Sequence, residues 1–229
     1  MPLENRVMPT GEIVAHPARG MFMGNRGRIH RPDQTLGTAR WSLHAWLVCL
    51  TCFNGRKRIV WGNSYTELFF HDEAVALAAG HRPCYECRRE AFRRFQLAWR
   101  RAHGEPATAP TMNRRMHADR VGPARRQRRH EARLGELPDG AFILNGEQPA
   151  LVWQGRLHPF APDGYLPPVR AEPERIVTVL TPRSTVNVLR AGAKPGLCLR
   201  ICYNGFKASP RGQAPGGTRR AVRSRCCAG

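Results

Sequence analysis

Lysine is nearly absent from this chain: of 37 basic residues, only Lys57, Lys194 and Lys207 are not arginine. Acids are few as well, 17 Asp plus Glu, which leaves a formal charge of +20. A surface so short of carboxylates attracts polyanions, and arginine grips phosphate through its planar two-pronged fork. Long apolar runs are missing too. No window approaches the about 18 apolar residues of a membrane-crossing helix. The opening MPLENRVMPTGEIVAHPARG has no apolar run of the roughly 7–15 residues that a secretory signal needs. The expected compartment is therefore the cytoplasm, where the eight cysteines read as free thiols or metal ligands rather than disulfides. Apolar content is not short: at 41 % of 229 residues it suffices for a core and excludes wholesale disorder.

Along the chain the pattern predicts an α+β protein in five stretches. Residues 1–21, with Pro2, Pro9 and Pro17, read as an extended lead-in. Residues 22–104 read as a module of β-hairpin and helices. Its hairpin pairs Trp46–Phe53 with Arg56–Trp61 across Asn54-Gly55, the strongest short turn signal. Asp72 is the expected N-cap of a short helix through Ala79, closed by Gly80. Phe92, Phe95 and Trp99 recur at helical spacing and predict a helix from about Arg88 to Ala102 with arginines on its other faces. Residues 105–135 read as a basic linker with a helix over Met112–Val121 and a solvated arginine-rich arm at 124–133. Residues 136–195 predict a small antiparallel β-rich unit, with turns at Asn145-Gly146, Gln154-Gly155 and Asp163-Gly164. Arg175–Leu180 is its last expected strand, and Thr181-Pro182 opens a closing helix that ends at Gly192. Residues 196–229 read as a disordered basic tail.

Four cysteines fall in two pairs, Cys49-x2-Cys52 and Cys84-x2-Cys87, separated by 31 residues. Two such pairs suggest a structural zinc site, one ion per chain, because zinc favours four sulfur or imidazole donors in a tetrahedron. Cys84 and Cys87 form the better half, since a basic helix opens immediately after them and helix N-termini favour thiolates. In a regular strand, residues three apart face opposite ways, so only one of Cys49 and Cys52 is expected to face the metal. Cys49 is then the third ligand. His30, on its Gly-rich approach Gly24–His30, is the preferred fourth, with Cys52 as the alternative and His71 and His81 as further options.

Phe69-Phe70, the Ala-rich stretch Ala74–Ala79, then Gly80-His81-Arg82-Pro83-Cys84-Tyr85-Glu86-Cys87-Arg88 together resemble the second half of the Ada-type zinc-binding domain. The segment Gly24-Asn25 through Ile29-His30 is similar to the opening of small Ada-like modules that use a histidine ligand. The resemblance spans roughly residues 22–90 and implies that Cys84 and Cys87 are the second ligand pair. In the DNA-repair member of that family, the first pair is Cys-x3-Cys, and one of its thiolates accepts a methyl group from a damaged phosphotriester. Here the corresponding pair is Cys-x2-Cys inside an apolar strand, and His81 stands where the family has an aromatic residue. Further elements, MGNRGR-x-H, YTELFF and GHRPC-x-x-C, resemble those of a bacterial protein family without an assigned activity.

The function expected is therefore zinc-stabilised binding of nucleic acid, DNA or RNA, with phosphates met by Arg26, Arg28, Arg56, Lys57, Arg58, Arg88, Arg89 and Arg93. One alternative is a zinc-thiolate enzyme acting on nucleic acid, with Cys49 as an alkyl acceptor. A hydrolase built from His103, His117, Asp119 and His130 is its variant, although these residues match no recognised catalytic spacing. Another alternative is a protein-interaction module in which Trp153, Phe160 and Tyr165 of the β-rich unit meet a partner.

Overall fold

The computed structural model describes residues 1–55 and 59–199. Six strands form the first sheet: β1 (Glu4–Val7), β2 (Ile13–Ala15), β3 (Phe22–Asn25), β4 (Leu47–Leu50), β5 (Leu68–Phe70) and β6 (Arg82–Pro83). Their spatial order is β2-β1-β5-β3-β4-β6. β1 runs parallel to β5 and β4 parallel to β6, while the remaining neighbours are antiparallel. The segment expected as a lead-in thus supplies two strands, because Val7 and Ile13 are apolar residues that the sheet buries.

The hairpin expected after β4 is a second difference. β4 stops at Leu50 and pairs with β3 and with β6, and among the described residues not with a strand following Asn54-Gly55. Residues 56–58 lie outside the described residues, and Trp61 sits in a turn with φ +58. Its indole is buried there: its backbone N–H donates to Glu67 Oε2 at 2.8 Å and its Nε1 to Glu67 O at 3.1 Å. A β6 of two residues, paired in parallel across a long crossover, leaves no local pattern to read.

Between β5 and β6 runs α1 (Glu73–Ala78), capped as expected by Asp72, whose Oδ1 accepts from Val75 N at 3.0 Å. Gly80, at φ +84, ends it where an L-residue would be strained. α2 (Arg89–His103) buries Phe92, Phe95 and Trp99 and exposes arginines, as its periodicity predicts. α3 (Ala109–Arg120) begins at the Thr108 cap and carries Met112 and Met116 into the core.

The second sheet is antiparallel throughout: β7 (His130–Arg133), β8 (Phe142–Asn145), β9 (Gln148–Trp153), β10 (Arg156–Ala161), β11 (Gly164–Tyr165), β12 (Val169–Arg170) and β13 (Ile176–Val179). Its order is β11-β10-β9-β8-β13-β7, with β12 also on β10. β7 lies in the stretch expected to be a solvated arm. It pairs with β13 because its residues alternate, Ala132 packing against the core while Glu131 and Arg133 stay exposed. Arg133 then meets Glu174 at 2.8 Å. α4 (Arg183–Arg190) closes the unit, but Thr181 is not its cap: Thr181 Oγ1 accepts from Phe142 N at 2.8 Å, and Pro182 occupies the cap position.

One core lies between α2, α3, α4 and the second sheet, around Trp99, Met112, Ile143 and Val188. A second joins the first sheet and α1 to Phe142, Leu151, Phe160 and Tyr165 of the second sheet. Phe160 and Tyr165 are therefore interior, so they do not form the partner surface considered for the β-rich unit. Asp72 also spans the two sheets, its Oδ2 accepting from Tyr165 Oη at 2.8 Å and from Cys198 N at 3.1 Å. Residues 196–198, expected in a loose tail, thus dock on the start of α1; the rest of that tail from residue 200 lies outside the described residues.

Candidate metal centre

Strand alternation sets the first ligand. In β4, Val48 faces the core and Cys49 faces the other way, opposite Met23 of β3. β6 brings up the second, because the Cys84 amide donates to Val48 O at 3.0 Å. The chain then folds into a tight turn, closed by Arg88 N donating to Cys84 O at 3.1 Å, which returns Cys87 toward β4. There Leu50 N donates to Cys87 Sγ at 3.4 Å. The three sulfurs lie within 4.8 Å of one another, a group that could hold a metal ion. Cys49 and Cys84 are 9 % and 7 % exposed, so the cluster is shielded on its inner side.

The electrostatics of the cluster fit a cation. Cys84 has its pKa pulled down to about 5, first by a hydrogen bond from the Cys49 thiol and then by the amides of Cys87 and Glu86. Cys49 moves the opposite way, because giving that bond requires its proton and burial disfavours its charge. Burial likewise raises Cys87. One thiolate is stabilised and two thiols keep their protons: three negative sulfurs cannot share this space unaided. Cys49, Cys84 and Cys87 would hold a divalent ion as thiolates, giving up their remaining protons to it. Outside the sulfurs lies a cavity of about 210 Å³ whose walls include Asn25, Thr51, Phe53, Tyr65 and Glu86. Among the described residues, no fourth Cys, His, Asp or Glu joins the three sulfurs.

The structure brings Cys49, Cys84 and Cys87 together and leaves the other expected ligands elsewhere. Cys52 lies past the end of β4 and is exposed. His30, expected as the fourth ligand, has both ring nitrogens engaged, Nδ1 at 2.7 Å from Thr66 Oγ1 and Nε2 at 3.0 Å from Gly62 O. Its ring stacks on Trp61 at 5.5 Å, so the Gly-rich approach turns the imidazole into a packing contact rather than toward the sulfurs. His71 Nε2 lies 3.1 Å from Cys198 O. His81 is fully buried between Trp46 and Phe70.

The expected phosphate-binding residues separate in the same way. Arg28, Arg89 and Arg93 are exposed. Arg88 instead pairs with Glu73 at 2.7 Å and lies over the Phe22 ring, both partners nearly buried. Arg26 is only 2 % exposed and belongs to the interior. Arg56, Lys57 and Arg58 lie outside the described residues. The histidines considered for hydrolysis serve packing: Asp119 Oδ2 accepts from Ser184 N at 3.0 Å at the start of α4, His103 Nε2 lies 3.1 Å from Ser184 O, and His117 stacks on His44 at 3.9 Å.

Sequence reasoning passed over the cavity wall beside the sulfurs. Met23 follows from pairing β3 with β4, which the hairpin expectation had assigned elsewhere, and Glu86 lies inside the Cys84–Cys87 spacing itself. Asn25 and Tyr65 lie in the quoted runs Gly24-Asn25 and YTELFF, but nothing in either run marks them as lining a cavity beside the sulfurs. No described helix is long and apolar enough to cross a membrane. Comparison of the chain with known protein families, with curated proteins and with solved structures gives no match in any of the three.

Proposed function

We propose that the chain is a zinc protein that binds nucleic acid, with one Zn²⁺ held by Cys49, Cys84 and Cys87. The gathering of these three sulfurs within 4.8 Å carries the reading. Thiolate donors favour zinc among common cellular divalent ions, and a fourth donor completes its tetrahedron from the cavity side. The ion's role is structural: it ties β4 to the turn after β6 and so fixes the start of α2. The resemblance of residues 69–88 to the Ada-type domain supports the same ligand pair, Cys84 and Cys87.

Nucleic acid follows from what surrounds that start. α2 begins two residues after Cys87, and Arg89, Arg93, Arg94, Arg100 and Arg101 project from its exposed faces. Only Arg94 among them has an acidic partner within salt-bridge distance among the described residues, Glu90 at 3.8 Å on the solvent side. With a chain charge of +20, this face is a phosphate footprint. Elemental analysis of the full chain tests the metal: about one zinc in the wild type and almost none in Cys84→Ser. Binding to DNA and RNA across a salt series tests the face, with a log–log slope of about −0.9 for each phosphate neutralised on duplex DNA. Absence of salt-dependent binding to either polymer removes the nucleic-acid reading.

A second reading draws on the cavity beside Cys49. In it, Cys49 Sγ takes a methyl group from an alkylated phosphotriester, the new S–C bond replacing the C–O bond and leaving a phosphodiester. Mass spectrometry of zinc-loaded protein after incubation with methylated DNA decides it: an added methyl group on Cys49 supports it, and unmodified Cys49 ends it.

A further inference from the structure

Three arginines, Arg26, Arg82 and Arg120, are buried with no carboxylate partner among the described residues; Arg82 donates to Asn113 Oδ1 at 2.9 Å and to Pro83 O at 3.1 Å, and the other two share one cavity. Arg26, at the end of β3, and Arg120, at the end of α3, are 2 % and 3 % exposed. Their guanidiniums both lie against the indole of Trp46, at 4.2 and 3.9 Å from the ring centre. The hydrogen bonds they make go to neutral acceptors: Arg26 to Gly11 O at 3.1 Å and weakly to His81 Nε2, Arg120 to Gly80 O at 2.8 Å, His44 O at 2.7 Å and His117 Nδ1 at 3.2 Å. Arg26 Nη2 and Arg120 Nε have no hydrogen-bond partner among the described residues. No described Asp or Glu forms an ion pair with either residue. Stacking on an indole and bonds to carbonyls compensate a buried cation only in part.

Both residues line one cavity of about 260 Å³, with Trp46 in its wall. Three further arginines, Arg40, Arg125 and Arg126, stand around it and are exposed. Arg40 and Arg125 are held in place by bonds to Gly37 O and Thr38 O, both 2.8 Å, which leave their other nitrogens available. Glu4 and Glu12 also reach the wall, both exposed, so the cavity holds five guanidiniums against two carboxylates at its solvent side. Ala124 and Arg125 hold left-handed backbone at φ +50 and +60 on this lip, a conformation that costs energy in residues other than glycine.

We propose that this cavity is a binding site for a phosphate monoester dianion, seated between Arg26 and Arg120 and closed over by Arg40 and Arg125. An oxyanion supplies the compensation that the fold withholds: it offers acceptors to unpartnered guanidinium nitrogens and charge to two buried cations. A dianion is preferred over a carboxylate because several forks converge on one small volume and arginine binds phosphate through paired bonds. Burial together with the nearby Arg40 charge lowers the pKa of Arg26 to about 9, so it stays protonated at neutral pH and its charge awaits a partner. The site uses none of the sulfur ligands and stands whether or not the zinc reading does. The phosphate has two possible sources, a free phosphorylated metabolite or the 5′ end of a nucleic acid, and the cavity chemistry is shared by both.

The test is calorimetric titration of the full chain with inorganic phosphate at constant ionic strength, with acetate as the monoanion control. Saturable binding near one per chain is expected, weakened about tenfold or more in Arg40→Gln or Arg125→Gln, each of which removes charge-assisted bonds at an exposed position. Arg26→Met is expected to abolish phosphate binding while keeping, or raising, the melting temperature measured without phosphate. Tighter binding of a 5′-phosphorylated oligonucleotide than of its 5′-hydroxyl twin identifies the nucleic-acid source. Equal binding of the twins, with inorganic phosphate bound, identifies the free ester. Phosphate heats no different from those of acetate, or unchanged phosphate affinity in both rim variants, overturn the proposal. Loss of zinc in Cys84→Ser with phosphate binding intact separates this site from the metal centre.

Discussion

Two candidate sites lie a few residues apart along the same stretch of chain. Trp46, just before β4, backs the arginine cavity, and Cys49, within β4, belongs to the sulfur cluster. One site gathers sulfurs that become anionic; the other gathers guanidiniums, with Glu4 and Glu12 only at its solvent side. Each has the wrong sign for burial alone, and each is kept together by the surrounding backbone: the amides of Leu50, Glu86 and Cys87 at the sulfurs, the carbonyls of Gly11, His44 and Gly80 at the guanidiniums. A fold that spends stability on like groups in one place is organised for what they bind. The difference is in geometry. The sulfurs converge within 4.8 Å, the spacing of a single ion, whereas the arginines frame a volume of about 260 Å³, the room of a small molecule.

The largest break in the comparison comes from removing metal. At a metal concentration a thousandfold above its dissociation constant, binding adds about 4 kcal/mol, or roughly 8–16 °C of melting temperature for a chain of this size. Chelation is expected to lower the melting temperature by that amount, and Cys84→Ser to abolish the difference between treated and untreated protein. Calorimetric scans check both. The next effect is a control that touches neither site: Trp99→Ala, in the core between α2 and the second sheet, is expected to cost about 3–5 kcal/mol with zinc content unchanged. Denaturant titration and elemental analysis of that variant show whether stability and metal binding are separable.

Acid acts on the buried and half-buried histidines. His81 is kept neutral, first by burial and then by the charges of Arg26 and Arg120. His117 and His130 are lowered to about 4, chiefly by desolvation, with an arginine charge adding to each. Their folded values lie below that of the unfolded chain, near 6.5, so the unfolded state takes up protons first. The stability these neutral rings contribute is complete above about pH 6.5 and is lost progressively toward pH 4. A melting temperature that falls over this interval in metal-free protein is expected, and a flat profile contradicts it. The smallest effect is at the surface. Arg93→Gln is expected to leave the melting temperature unchanged and to reduce the salt slope of nucleic-acid binding by about one contact.

The parts of the fold legible in the sequence are those whose cause is local. Asp72 and Gly80 bracket α1 because a side-chain acceptor and a left-handed residue act within a turn of their own position. The α2 face and the turns between β8, β9 and β10 are readable for the same reason. β4 was visible as a strand, but its partners were not. The Asn54-Gly55 signal suggested a return strand, while the actual neighbours, β3 and a two-residue β6, come from elsewhere in the chain. That pairing is what places Cys84 beside Cys49, so the cysteines could be matched by spacing while the route joining them could not. His30 shows the reverse case: its position looked like that of a ligand, but Thr66 and Gly62, more than thirty residues on, hold both its nitrogens. Arg26 reads as surface charge in the sequence because arginine is mostly exposed, and nothing in the run Gly24–His30 marks it as the one that turns inward.

The carboxylate of Asp72 receives the amide of Val75, the hydroxyl of Tyr165 and the amide of Cys198, the last of them 126 residues further along the chain. During synthesis on the ribosome, the cap of the first helix is therefore available early, but the other two donors arrive only after the second sheet has been made. The N-terminal sheet cannot finish its own helix start while translation is under way. Its final locking waits for residues 196–198 to emerge and dock, so the two halves of the molecule mature together although one is made well before the other.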